Sequence, residues 1–127
     1  MRENQTSTVR PRWAWLLWVH LSIVLLATLG AYLGLLNLDA LTVPGIDKLL
    51  HFALYGALAF FAVSWWAHRA PWSVLAVLSV LATLEEAAQS LSALRSFSVV
   101  DLAATLLGIL VCGGIAGRVV HKRRRAM

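Results

Sequence analysis

Four long apolar runs follow one another along the chain, separated by short breaks that are polar or rich in turn-forming residues. Each run is close to the roughly 20 residues that a helix needs to cross a bilayer's hydrocarbon core. The pattern predicts an all-α, polytopic membrane protein whose single domain, residues 1–127, is a four-transmembrane-helix bundle. The predicted spans are 13–36, 48–67, 72–91 and 99–119, with polar tails at 1–12 and 120–127.

The breaks between the runs carry turn and helix-start signals. Pro44 and Gly45 favour a turn before the second run, and Asp47 stands where an N-cap would accept backbone N–H bonds. Ser98 is the corresponding candidate cap for the fourth run. A cleaved signal peptide is the alternative for the first run, but that run exceeds the roughly 7–15 apolar residues of a signal sequence. His20, within the same run, is expected to pack against a helix or to lie at the interface.

Composition supports a membrane protein and narrows the chemistry. Hydrophobic residues make up 60% of the chain and charged residues only 13%. The formal net charge of +5 does not indicate a nucleic-acid partner, because the basic residues cluster beside the apolar runs. The single cysteine, Cys112, has no CxxC partner and is expected to pack between helices. With no HExxH motif and one histidine among the polar clusters, we predict neither a metal site nor a cofactor.

The distribution of charge predicts how the chain crosses the membrane. Of the 11 Lys and Arg residues, all except Lys48 and Arg95 lie in the N-terminal tail, the turn at 68–71 or the C-terminal end. The positive-inside rule then places both termini of the predicted multi-pass protein in the cytoplasm. All the acidic residues except Glu3 fall toward the other side, so we expect the polar clusters to face outward.

Two polar clusters interrupt the apolar runs at their outer ends, one at Asp47–His51 and the other within the stretch Leu84–Asp101. Asp47, His51 and Tyr55 share one face of the second helix because they are spaced four residues apart. Ionisable groups in a membrane segment usually face a partner or a water-filled cavity. We therefore predict that the second, third and fourth helices enclose a polar ligand-binding site. Its predicted residues are Asp47, Lys48, His51, Tyr55, Glu86, Gln89, Arg95, Ser98, Asp101 and Thr105.

Helical spacing also predicts a polar stripe on the third helix. Ser79, Thr83 and Glu86 share one face, and Thr105 belongs to a similar stripe on the fourth helix. For the three hydroxyl residues the simpler interpretation is hydrogen bonding that joins helices. Glu85 points about 100° away from Glu86, so its role is left open.

The polar residues resemble the VanZ-like family of small bacterial membrane proteins. The similarity lies in DKLLHFALYGAL at Asp47–Leu58, in ExxQ at Glu86–Gln89 and in RSFSVVDLAATLLG at Arg95–Gly108. It covers about half of the chain, residues 47–108, and this three-part pattern is specific. Thr105 departs from it, since the family commonly has asparagine there, and threonine keeps a hydroxyl but lacks the amide. The resemblance implies an envelope function, linked in the founding member to low-level teicoplanin resistance.

One functional hypothesis is a binding or modulating protein. Arg95 and Lys48 would hold an anionic headgroup of a cell-wall lipid precursor, or part of a glycopeptide, because a guanidinium group fits phosphate through two hydrogen bonds. Glu86 and Asp101 would orient Arg95 and His51. Membrane lipids are expected partners in any case.

Two other classes of function stay open. An intramembrane enzyme acting on an envelope lipid would use His51, Glu86 and Asp101 as catalytic candidates, together with Asp47, in general acid–base chemistry. No serine or cysteine lies in a recognisable nucleophile motif. A small transporter or channel component is the third class. The four short spans show no inverted repeats of the kind found in many transporters, and a homo-oligomer would form the pathway.

Overall fold

The computed structural model describes residues 15–36, 44–66, 70–91 and 97–126. These residues form four helices, α1 (Trp15–Tyr32), α2 (Ile46–Trp65), α3 (Pro71–Gln89) and α4 (Val99–Arg125). Each of the four is long and apolar enough to cross a membrane. The described part of the chain contains no strand, so the predicted all-α, multi-pass, four-helix architecture is confirmed.

Two helix ends differ from the predicted boundaries because local backbone chemistry overrides hydropathy. α1 stops at Tyr32, since Gly34 adopts a left-handed φ of 70° and the Leu35 N–H donates to the Gly30 carbonyl oxygen at 2.8 Å. This Schellman turn satisfies carbonyl groups at the helix end. α4 continues to Arg125, so most of the predicted C-terminal tail is helical. Basic side chains in its last turn suit the negative end of the helix dipole.

The start of α2 corrects the predicted cap. Gly45, with a φ of 79°, occupies the N-cap position, and no side chain caps the helix. Asp47 lies inside the first turn, where its charge still suits the positive end of the helix dipole. The cap predicted for α4 is confirmed, because Ser98 Oγ accepts the Asp101 N–H at 3.2 Å.

α2 and α4 form the closely packed centre of the bundle, where small residues let the two backbones meet. A Cβ added to Gly108 would overlap the carbonyl group of Phe52, and one on Gly56 would lie 2.9 Å from Cys112 Sγ. Ile109, next to Gly108, is fully buried. Small residues of this kind let transmembrane helices approach closely. Cys112 packs within the contact, as predicted.

α1 packs antiparallel against α2. His20 Nε2 lies 2.7 Å from the Leu54 carbonyl oxygen, and the Trp18 and Trp65 rings meet edge to face at 6.1 Å. A carbonyl oxygen only accepts, so the histidine donates through Nε2, as expected of a helix-packing residue. Large apolar side chains such as Leu26, which is 67% exposed, cover the outer faces of the bundle. A surface this apolar fits contact with membrane lipid.

Candidate functional site

A cavity of about 210 Å³ lies between α1, α2 and α3, in the half of the bundle where α2 begins and α3 ends. Its lining includes apolar side chains such as Val24, Leu50 and Leu54. Polar side chains from all three helices also line it. The polar lining residues are Thr28, Tyr32, His51, Tyr55, Glu85 and Gln89.

Glu85 is the centre of the hydrogen bonds among the polar lining residues. One of its carboxylate oxygens accepts the Tyr55 hydroxyl at 3.2 Å, and the other accepts the Gln89 amide at 2.9 Å. Its backbone carbonyl oxygen accepts the Tyr32 hydroxyl at 3.4 Å. Since an ionisable group inside a membrane segment is expensive unless it is hydrogen-bonded, these donors help to hold Glu85 at the cavity.

His51 connects the cavity to α4. Its Nδ1 lies 3.1 Å from Thr105 Oγ1, and its ring stacks on the Tyr55 ring with a 5° interplanar angle and centroids 6.4 Å apart. A hydroxyl both donates and accepts, so Thr105 can pair with either tautomer of the imidazole. The imidazole is thereby fixed between a buried hydroxyl on α4 and the cavity that it lines.

Lys48 connects the start of α2 to the start of α4. Its Nζ lies 2.6 Å from Asp47 Oδ2 and 3.4 Å from Asp101 Oδ1. That Asp101 oxygen is buried and accepts no hydrogen bond from the described residues. The nearby ammonium group of Lys48 therefore attracts the Asp101 carboxylate electrostatically but does not donate a hydrogen bond to this oxygen. With two carboxylates around one ammonium group, the cluster has no surplus positive charge to offer an anionic headgroup.

Glu86 connects α3 to the start of α4 through a hydrogen bond. Its side chain is buried, and Oε1 accepts the Ser98 N–H at 2.8 Å. Ser98 is the residue immediately before α4. The carboxylate therefore joins the end of one helix to the beginning of the next and satisfies a backbone donor there.

The structure brings the two predicted polar clusters together, but not around one pocket. Of the predicted site residues, His51, Tyr55 and Gln89 line the cavity. The others that are described form contacts between helices or at helix ends: Asp47, Lys48, Glu86, Ser98, Asp101 and Thr105. Arg95 lies outside the described residues. The predicted catalytic residues therefore do not share one cavity, since His51 lines it but Glu86 and Asp101 do not.

The cavity is lined by α1, α2 and α3 rather than by the predicted second, third and fourth helices. Sequence reasoning missed Thr28, Tyr32 and Glu85 as lining residues. A signal existed for Glu85, because it lies four residues before Gln89 and so shares its helix face. Thr28 and Tyr32 have the same spacing at the end of the first run.

The prediction that Thr83 forms a hydrogen bond joining two helices is wrong. The buried face of α3 includes Ala82, Glu86 and Gln89. Thr83 is exposed instead, and its hydroxyl donates to the Ser79 carbonyl oxygen of the same helix at 2.8 Å. Helical spacing does not reveal how α3 is rotated about its axis. That rotation places Thr83, a member of the predicted stripe, on the exposed face of the helix.

Comparisons with models of protein families, with curated proteins and with solved structures find no match to this chain. Within the described residues, no three of the His, Cys, Asp and Glu side chains converge as metal ligands do.

Proposed function

We propose that this chain is a VanZ-like protein of the bacterial cell envelope that binds or modulates a cell-wall lipid precursor at the cavity between α1, α2 and α3. The observation that carries the proposal is the mixed lining of the cavity, in which Glu85, Tyr55 and His51 stand beside aliphatic side chains. A lipid-linked precursor is amphiphilic, so its polar groups and its hydrocarbon both find suitable side chains there.

The size of the cavity limits what enters it. Its volume of about 210 Å³ is smaller than the roughly 300–1,000 Å³ of typical small-molecule sites. A single sugar, an amide group or a short length of chain fits, whereas a whole glycopeptide antibiotic does not. We therefore favour the lipid precursor over the glycopeptide as the direct ligand, with most of the ligand outside the cavity along the lipid-facing surface.

The lining chemistry favours hydroxyl and amide groups of the ligand. The Glu85 carboxylate accepts hydrogen bonds, and the His51 ring can donate or accept according to its tautomer. A phosphate is not assigned to Lys48, because Asp47 and Asp101 already surround that ammonium group. Arg95 is the residue that we propose for a phosphate contact, from its position in the resemblance and from the fit between guanidinium and phosphate.

We further propose that the protein lies in the inner membrane with both termini in the cytoplasm and with the cavity in the outer half. The charge distribution supports this orientation. The basic segment Arg118–Arg125 ends α4, whereas the cavity residues lie toward the beginning of α2 and the end of α3. The two features are at opposite ends of the bundle, as the positive-inside rule requires for a cavity that faces outward.

Teicoplanin and vancomycin susceptibility of a bacterium expressing the protein tests the function. Tyr55→Phe and Glu85→Gln remove a hydroxyl or a charge from the cavity and preserve side-chain shape. Thr83→Ala is the matched control, because it removes a hydroxyl from the exposed face of the same α3 helix. We expect the wild type and the control to raise the teicoplanin concentration needed for inhibition, and the cavity variants to lose that effect.

Membrane levels of each variant are measured alongside, so that loss of the protein is separated from loss of function. A wild-type protein that leaves teicoplanin susceptibility unchanged would contradict the envelope role that the resemblance implies. Cavity variants that protect as well as the wild type would contradict the assignment of the cavity as the site.

A further inference from the structure

A second cavity, of about 620 Å³, opens between the beginning of α3 and the end of α4, at the end of the bundle opposite the first cavity. We infer that this cavity, the α3–α4 groove, binds one anionic phospholipid molecule. The acyl chain lies in the groove, and the phosphate lies at Arg118 and His121. The inference does not depend on the proposed function, since it concerns other residues and the other end of the bundle.

The groove has the open space, the length and the apolar lining that an acyl chain needs. A Cβ added to Gly114 would meet no atom within 4 Å, so the missing side chain leaves open space. Leu110 and His121 both line the groove, and they are separated by about 16 Å along a helix. That is close to half of the roughly 30 Å hydrocarbon thickness, which is the depth of one leaflet. The apolar lining includes Trp72, Leu75, Leu110, Val111 and Ile115.

The charge at one end of the groove complements a phosphate. Arg118 and His121 lie one helical turn apart and both line the groove. Within the described residues, the ion pairs involve Lys48 at the other end of the bundle, so no carboxylate neutralises Arg118. Basic pockets between transmembrane helices bind anionic lipid headgroups, and a guanidinium group pairs with phosphate through two hydrogen bonds.

Tryptophans place this end of the bundle at the membrane interface. The helix ends here carry Trp15, Trp18, Trp65, Trp66 and Trp72. Indole rings are enriched at the level of the lipid headgroups. Trp72 itself lines the groove. Arg118 follows the apolar part of the groove along α4, so its guanidinium is near the depth at which a phospholipid phosphate lies.

Native mass spectrometry of the detergent-purified full chain tests the inference, with palmitoyl-oleoyl phosphatidylglycerol as the anionic probe and the matching phosphatidylcholine as the neutral one. We expect preferential retention of phosphatidylglycerol by the wild type. Arg118→Gln should weaken its binding about fivefold, as expected for one basic residue near a lipid headgroup. Arg124→Gln, which removes the same charge from the exposed end of α4 outside the groove, should change it less than about twofold.

A second pair of variants tests whether the acyl chain occupies the groove. Gly114→Leu fills the open space without altering charge and should abolish retention of the lipid, whereas Gly114→Ala should bind as the wild type does. Equal binding of the two lipids, equal losses in Arg118→Gln and Arg124→Gln, or full binding by Gly114→Leu would each overturn the inference. Helical content and unfolding temperature establish that every variant is folded.

Discussion

The Ser98 backbone N–H donates a 2.8 Å hydrogen bond to Oε1 of Glu86, whose side chain is only 2% exposed. The bond joins the beginning of α4 to the end of α3 through a side chain rather than through the intervening loop. Buried backbone donors nearly always have a partner, because leaving one unpaired away from water costs free energy. Glu86 therefore acts as a structural link, and the neighbouring Glu85 is the glutamate that faces the cavity.

Removing this acceptor should destabilise the bundle. Glu86→Ala leaves the Ser98 N–H without its acceptor and should lower the free energy of unfolding by about 1–3 kcal/mol. Glu86→Gln keeps an oxygen in the same place and should lose clearly less. Unfolding of the purified protein in detergent, followed by circular dichroism, measures both. An equal loss in the two variants would show that the negative charge, and not the acceptor, is what the site needs.

The Gly108 contact predicts opposite results for the same substitution at two positions of α4. Gly108→Ala places a methyl group against the Phe52 carbonyl and should destabilise the protein by about 1–3 kcal/mol through overpacking. Gly114→Ala enters open space and should be neutral or stabilising by up to about 1 kcal/mol, because alanine favours helix. Detergent unfolding curves for the two variants provide the comparison. Similar stabilities would contradict the close approach of α2 and α4.

Tyr55 and Glu85 should be energetically coupled across the cavity. They share a 3.2 Å hydrogen bond between α2 and α3, and such bonds in membrane proteins average about 0.6 kcal/mol in double-mutant cycles. A cycle of Tyr55→Phe and Glu85→Ala, each of which removes one partner of the bond, should give a coupling energy of about 0.5–1.5 kcal/mol. Tyr55→Phe combined with Thr83→Ala should be additive, because the Thr83 hydroxyl bonds within its own helix. If both cycles are additive, the hydrogen bond between Tyr55 and Glu85 contributes no coupling energy and the prediction is wrong.

The proposed orientation predicts which helix ends react from outside the cell. In a Cys112→Ala background, Leu91→Cys lies just beyond α3 at a position that is 88% exposed, and Ala126→Cys follows α4. A membrane-impermeant maleimide should label the first in intact cells and the second only after permeabilisation. The reverse pattern would place the basic end of α4 outside and refute the positive-inside assignment.

The number and approximate extent of the helices were predictable from the sequence, because a membrane span must be apolar over about 20 residues. The Ser98 cap was also predictable, because a serine just before an apolar run is a local signal for the start of a helix. The end of α1 at Tyr32 was not, because the left-handed turn at Gly34 stops the helix while the side chains are still apolar.

The assignment of polar residues to the cavity depended on the tertiary structure. Helical spacing groups residues on a face, but the rotation of each helix against its neighbours decides which face meets which. In α3 that rotation directs Glu85 to the cavity and Glu86 to Ser98, and α1 rather than α4 completes the cavity wall. The sequence by itself determined the spans and the set of polar residues available. Only the packing of the helices decided their partners, because side-chain contacts between helices depend on rotation and distance that no local pattern encodes.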